Sequence, residues 1–191
     1  MRPSVVLLTA IILVTPVRES AAQRQASPPS RVYTTVGLSK GAGALTCPFC
    51  TGEGKGGIAG FVGLQKTVAQ GVHLGGEANW WMHSGGGSTR SVFAVAPVAH
   101  LYLSKSSPLF IKIGVGIARF SASSDEEELR TTTVAGVTGA GYEFRLANHF
   151  VVIPYLSWMG GRTGTMRLNG AEVTPLGGVS LLQYGVALSK R

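Results

Sequence analysis

Apolar residues alternate with small or polar residues along much of this chain, most clearly between Leu109 and Phe120. The apolar residues of that segment fall on one face of an extended strand, whereas the second face carries Lys112, two glycines and an alanine. A helix would scatter the same residues around its whole circumference. Period-two alternation of this kind predicts β-strands that have one apolar face.

The same pattern, bounded by turn residues, recurs along the chain and predicts about eight strands. These strands are expected at 31–45, 57–66, 71–82, 92–103, 109–120, 134–146, 150–160 and 182–189. Short connections alternate with longer ones, the short ones near 67–70, 104–108 and 147–149, and the long ones near 46–56, 83–90, 121–131 and 161–176. An even number of strands with alternating connection lengths is typical of an up-and-down transmembrane β-barrel.

The first residues of the chain have the features of a cleaved signal peptide over residues 1–22. Arg2 supplies a positive start, Val5–Val14 forms an apolar stretch too short for a membrane helix, and small residues follow where cleavage is expected. Residues 23–30 are polar and proline-rich, which predicts a disordered leader. The barrel itself is then expected over residues 31–191.

The composition excludes some classes of function. Charged residues make up only 14% of the chain and hydrophobic residues 45%, yet no segment after the signal peptide is apolar for long enough to form a membrane helix. The formal net charge of +8 does not indicate nucleic-acid binding, because the basic residues are scattered and have no interleaved aromatic platform. Strands that alternate across a bilayer accommodate such a composition.

Four ionisable residues fall on the second face of the predicted strands, namely Glu77, Lys112, Glu143 and Arg145. In a membrane barrel this face points inward, so the two acids and two bases are expected to pair as an interior charge network. In a soluble barrel or sandwich, the apolar face would instead form the core and the charges would be solvated. The export signal and the asymmetry of the connections favour the membrane barrel.

Three stretches look like paired strands around short periplasmic turns: VGLQKTVAQGVHLGGEANWW, GAGYEFRLANHFVVIPYLSW and the closing LLQYGVALSKR. They resemble the small outer-membrane β-barrels that include the OmpA-type transmembrane domain and its OmpX/Ail-like relatives. The resemblance covers residues 31–191. It implies an eight-stranded antiparallel barrel in the bacterial outer membrane, surrounded by outer-membrane lipid and inserted by the outer-membrane assembly machinery.

Cys47 and Cys50 form the sharpest local motif, Cys-Pro-Phe-Cys in a glycine-rich predicted loop. A disulfide is the default for two cysteines of an exported chain, because the compartment is oxidising. A redox-active pair would be expected at the start of a helix, and a metal site would need two further ligands nearby. The disulfide is therefore favoured over both alternatives, with the role of shaping its loop.

Asp125, Glu126, Glu127 and Glu128 form the one run of charge in the chain. In an outer loop these carboxylates could bind a divalent cation or a basic partner surface. A solvated loop tip is the simpler interpretation of such a run.

Three functions are compatible with these patterns. The favoured one is a non-enzymatic outer-membrane barrel that has a structural or surface-interaction role through its extracellular loops. The second is a soluble barrel that carries a small apolar ligand, and the third is a barrel enzyme that modifies envelope lipid. His83, beside Ser84, and His100 are candidates for the enzyme, but neighbours on a strand point to opposite faces and no triad is visible. No catalytic residue, cofactor or metal ion is predicted.

Overall fold

Backbone hydrogen bonds link the strands into one antiparallel sheet that closes on itself. The computed structural model describes residues 32–46, 54–104, 107–124, 127–147 and 149–190. The strands are β1 (Val32–Thr46), β2 (Lys55–Ala69), β3 (Val72–Gly85), β4 (Ser88–Tyr102), β5 (Leu109–Ser123), β6 (Glu128–Tyr142), β7 (Phe144–Ala147), β8 (Phe150–Leu168) and β9 (Ala171–Lys190). Within these described ranges, no helix is long and apolar enough to cross a membrane.

The sheet closes because β1 pairs with β9 and β6 pairs with β8. The short strand β7 follows β6 after an interruption at Glu143 and pairs with the first residues of β8. Every other strand pairs with its neighbour in the chain, so the connections are all hairpins. Because β6 and β7 together occupy one strand position in the ring, the ring has eight strands. This confirms the predicted eight-stranded antiparallel up-and-down barrel.

Three of the predicted long loops, 83–90, 121–131 and 161–176, are wrong, because strands occupy most of each segment. β3 and β4 meet at Gly86-Gly87, where φ is 62° and 72°, and β8 and β9 meet at Asn169-Gly170, where φ is 48° and 86°. Two consecutive positive φ values are typical of type I′ hairpin turns, which favour glycine and asparagine. We call the end of the barrel that carries these turns the hairpin end. The opposite end, with Val32, Lys190 and the turn at Gln70-Gly71, is the terminal end.

The apolar face of the strands points outward. We call its exposed side chains the apolar belt, which comprises Val36, Leu38, Ile58, Val62, Leu64, Leu74, Phe93, Val95, Ile111, Ile113, Val115, Ile117, Val134, Leu156, Trp158, Leu182, Val186 and Leu188. Between them in sequence lie buried residues such as Lys112 and Ala118. The soluble alternative, in which the apolar face forms the core, is therefore wrong.

Large side chains and glycines face each other inside the barrel. Toward the hairpin end, Trp81, Phe120 and Leu181 belong to one buried cluster, and toward the terminal end Phe61 and Phe110 belong to a second. The Trp81 indole donates a hydrogen bond to the carbonyl oxygen of Gly41 at 3.1 Å, which fixes the ring. A barrel of eight strands has an interior that side chains just fill, so large rings fit only where the opposing residues lack a Cβ.

Gly43→Ala should destabilise the barrel by about 1–3 kcal/mol, as overpacking of a filled core does. A Cβ at this position would lie 2.7 Å from the Trp81 ring, which is buried and held by its hydrogen bond. Gly76→Ala is the matched control, because a Cβ there meets no atom within 4 Å. Urea unfolding of both variants in lipid vesicles measures the effect. Equal midpoints for the two variants would show that the interior is not tightly filled around Trp81.

Candidate functional site

A buried ion pair lies inside the barrel between Glu77 of β3 and Lys112 of β5. The Lys112 ammonium donates a hydrogen bond to one carboxylate oxygen of Glu77 at 2.8 Å. The other oxygen lies 3.4 Å from Nε2 of His100 on β4. The side chains of all three residues are at most 8% exposed. Burial of an ion pair is tolerated only when its geometry is good, and the 2.8 Å hydrogen bond from Lys112 provides this, whereas Oε1 of Glu77 has no hydrogen-bond partner among the described residues.

Aromatic rings and an amide enclose this ion pair. Gln65 of β2 forms a hydrogen bond between its Nε2 and Nε2 of His100 at 3.1 Å. The His100 ring stacks on Phe110 with 4.4 Å between centroids, and Lys112 Nζ lies 5.2 Å from the centroid of Phe61. Four neighbouring strands, β2 to β5, therefore contribute polar side chains to one network inside the barrel. We call Gln65, Glu77, His100 and Lys112 the interior network.

The two other predicted members of the charge network lie elsewhere. Glu143, at the interruption between β6 and β7, accepts a hydrogen bond from the Tyr102 hydroxyl. Arg145 is exposed on β7, which corrects its predicted place in the barrel interior. Its partner across the ladder, Val151, is buried, so Arg145 points to the inner side of the sheet. It is nevertheless exposed because β7 lies at the terminal end, where the barrel opens to solvent.

Gln65 is a member of the interior network that the alternation of its strand does not reveal. Its strand was assigned to 57–66, where the alternation is irregular because glycines occupy both faces. In the structure Gln65 is buried and its neighbours Leu64 and Lys66 are exposed. The signal that could have found it was the pair of outward-facing apolar residues Val62 and Leu64, which fixes the register of β2.

Side chains fill the middle of the barrel. The cavity beside the interior network measures about 20 Å³, which is room for about one water molecule. Apolar clusters lie on both sides of the network along the barrel axis. Next to the interior network, the described residues therefore leave no room for an apolar ligand.

The predicted cation loop is only partly described. Asp125 and Glu126 lie outside the described residues, as do Cys47 and Cys50 and the predicted signal peptide and leader. Glu127 is exposed, and Glu128 forms an ion pair with Arg130. In the part of the chain that the structure describes, no group of three His, Cys, Asp or Glu side chains could hold a metal ion. Cation binding by this loop, like the disulfide, stays a prediction.

The two histidines considered for catalysis make packing contacts. His83 forms a hydrogen bond from Nδ1 to the carbonyl oxygen of Gly56 at 2.6 Å, and its ring lies parallel to that of Trp81. The Ser84 hydroxyl contacts Thr89 and not His83. His100 is enclosed in the interior network, away from any surface that a lipid could reach.

The apolar belt has the height of a bilayer. On β5 the outward residues from Leu109 to Ile117 are all apolar. This span of nine residues matches the roughly 9–11 residues that a tilted strand needs to cross the hydrocarbon core. A closed band of exposed aliphatic side chains is favourable when it lies against lipid, because in water the same apolar surface would stay unburied.

The chain is similar in structure to known small barrels. It superposes on Neisserial surface protein A, NspA, with a TM-score of 0.56 at 8% identity, over 82% of this chain and 96% of that one. Ail, the attachment invasion locus protein of Yersinia pestis, gives 0.50 at 9% identity, over 82% and 97% of the two chains. Ail in complex with the heparin analogue sucrose octasulfate gives 0.52 at 9% identity, over 83% and 99%.

The fold is that of the small outer-membrane β-barrels. No protein-family model matches the chain, and no curated protein matches it in sequence. At identities of 8–9% the likeness concerns the fold alone. It confirms the resemblance seen in the sequence, and together with the apolar belt it agrees with the predicted location in the bacterial outer membrane.

Proposed function

We propose that this protein is a non-enzymatic outer-membrane barrel that anchors a set of β-hairpins at the cell surface for interaction with surface ligands. The observation that carries the proposal is the length of the strands. β8 and β9 have 19 and 20 residues, about twice what crossing the membrane needs. The additional residues lie at the hairpin end, because the apolar belt ends well before the Asn169-Gly170 turn.

The projecting parts of the strands stay paired with each other. The β8–β9 ladder runs from Phe150↔Lys190 at the terminal end to Leu168↔Ala171 at the tip, with shifts of register between Gly161 and Arg167. The β3–β4 ladder continues without a shift to Gly85↔Ser88. A hairpin held by a ladder loses less conformational entropy on binding than a mobile loop does, which favours recognition of a partner. The filled interior gives no support to transport, and the contacts of His83 and His100 give none to catalysis.

Epitope insertion into two matched turns tests this arrangement. We expect a short epitope between Gly86 and Gly87 to be labelled by antibody on intact cells, because the hairpin end faces the exterior. The same epitope between Gln70 and Gly71, in the turn at the terminal end, should be labelled only after the outer membrane is permeabilised. The opposite pattern, or recovery of both proteins in the soluble periplasmic fraction, would overturn the proposal.

A further inference from the structure

Three arginines lie together on the outer wall of the barrel near the hairpin end. Arg119 of β5, Arg130 of β6 and Arg167 of β8 line one cleft of about 730 Å³. All three are exposed, whereas their neighbours Ala118 and Thr131 are buried, so the arginines point away from the barrel interior. The cleft therefore faces whatever surrounds the barrel.

The arrangement brings like charges together. Arg130 and Arg167 are direct partners across the β6–β8 ladder, and Arg119 is the partner of Thr132, two residues along β6 from Arg130. Like charges directly opposite on a sheet are destabilising. One acid lines the cleft, Glu128, and its carboxylate pairs with Arg130. Outside the cleft, the ladder partner of Arg167 on β9 is the exposed acid Glu172. Three guanidinium groups and one carboxylate thus line the cleft itself, and an external anion would relieve the repulsion between the guanidinium groups.

The cleft lies at the edge of the apolar belt. Arg119 is the next outward residue on β5 after Ile117, so it lies about 7 Å along the strand from the last belt residue. Across the ladders, Arg119 pairs with Phe93 and Phe93 pairs with Trp80. Aromatic side chains form girdles at the two membrane interfaces of such barrels. Arg119 therefore lies at the edge of the belt, and Arg130 and Arg167 lie two ladder positions further toward the hairpin end, the end that the proposed function places outside.

We propose that Arg119, Arg130 and Arg167 bind the phosphate groups of a phosphorylated glycolipid in the outer leaflet, with its acyl chains against the apolar belt. This inference rests on the proposed function for the orientation of the barrel. A guanidinium binds phosphate through two parallel hydrogen bonds, and the Thr132 and Thr165 hydroxyls in the same cleft can donate further ones. The apolar residues directly below the cleft distinguish a lipid ligand from a free anion, because they provide a surface for the chains.

Native mass spectrometry of the refolded protein with lipid A tests the assignment. We expect the protein to retain bisphosphorylated lipid A, and the Arg119→Gln/Arg130→Gln/Arg167→Gln variant to bind it at least about tenfold more weakly. The matched control, Lys40→Gln/Lys66→Gln/Lys190→Gln, removes the same charge from exposed positions outside the cleft and should bind like the unmodified protein. Equal binding by both triple variants would overturn the proposal.

Two further arms separate the sources of phosphate. Dephosphorylated lipid A should bind the unmodified protein as weakly as phosphorylated lipid A binds the arginine variant. Inorganic phosphate at an equal phosphate concentration should not displace the lipid, and displacement would show a simple anion site. The epitope test on the arginine variant distinguishes failure of this inference from failure of the proposed function. If the epitope is still labelled at the cell surface and lipid binding does not depend on the arginines, this inference fails and the proposed function stands.

Discussion

Lys112→Met should destabilise the folded barrel by about 3–5 kcal/mol, because it leaves the Glu77 carboxylate buried without its cation. Glu77 is 2% exposed, and the ammonium of Lys112 is 2.8 Å from its oxygen. His100 remains within 3.4 Å of the other oxygen, so the network does not lose every contact. Unfolding in urea from lipid vesicles, followed by the heat-dependent shift in gel mobility, measures the loss.

Two controls separate the loss of the ion pair from the loss of the lysine side chain. Glu77→Gln combined with Lys112→Met removes both charges and should recover most of the stability, because replacing a buried pair by neutral groups is often close to neutral. Lys66→Met removes an exposed lysine from the outer wall and should change the unfolding free energy by less than about 0.5 kcal/mol. A double variant less stable than Lys112→Met would contradict an energetic coupling between the two residues.

The sequence predicted the strands and their faces because alternation is a local property. The run from Leu109 to Ile117 fixes which face of β5 is apolar, and it places Lys112 on the inner face without knowledge of any partner. The choice between lipid and core as the surroundings of the apolar face needed more than local pattern. It was decided by the closed ring together with the exposure of the apolar side chains on its outer face.

Long-range positions were harder to predict. Arg145 has the correct alternation for the interior but lies at an open end, and a strand pattern does not show how far along the barrel each residue lies. The hairpin extensions were mistaken for loops because they are rich in Gly, Ser and Thr. The dipeptide Asn169-Gly170 was a usable signal, since Asn-Gly between alternating segments indicates a two-residue hairpin.

The arginine cleft could not be predicted from the sequence, because its three arginines lie far apart in the chain. Arg119, Arg130 and Arg167 are separated by 11 and 37 positions in the chain and look scattered. The ladders of β5, β6 and β8 bring them onto one face. Their shared outward face follows from strand register, because a shift of one residue would move each side chain to the other face of the sheet.

Val115→Arg should destabilise the barrel by about 2–4 kcal/mol, the cost of a charged side chain at the middle of a bilayer. Val115 lies at the centre of the belt on β5 and is 56% exposed. Val173→Arg is a close match, because Val173 is 53% exposed on β9 but lies near the tip of the β8–β9 hairpin. In water, both substitutions would be surface changes worth less than about 0.5 kcal/mol.

The difference between these two variants in unfolding free energy, measured in lipid vesicles, tests most directly whether the apolar belt spans a membrane. A membrane-spanning barrel predicts that Val115→Arg is less stable than Val173→Arg by about 2 kcal/mol or more, since the two valines are equally exposed and differ in surroundings. Equal stabilities of the two variants would contradict it, because they would show that the belt meets water.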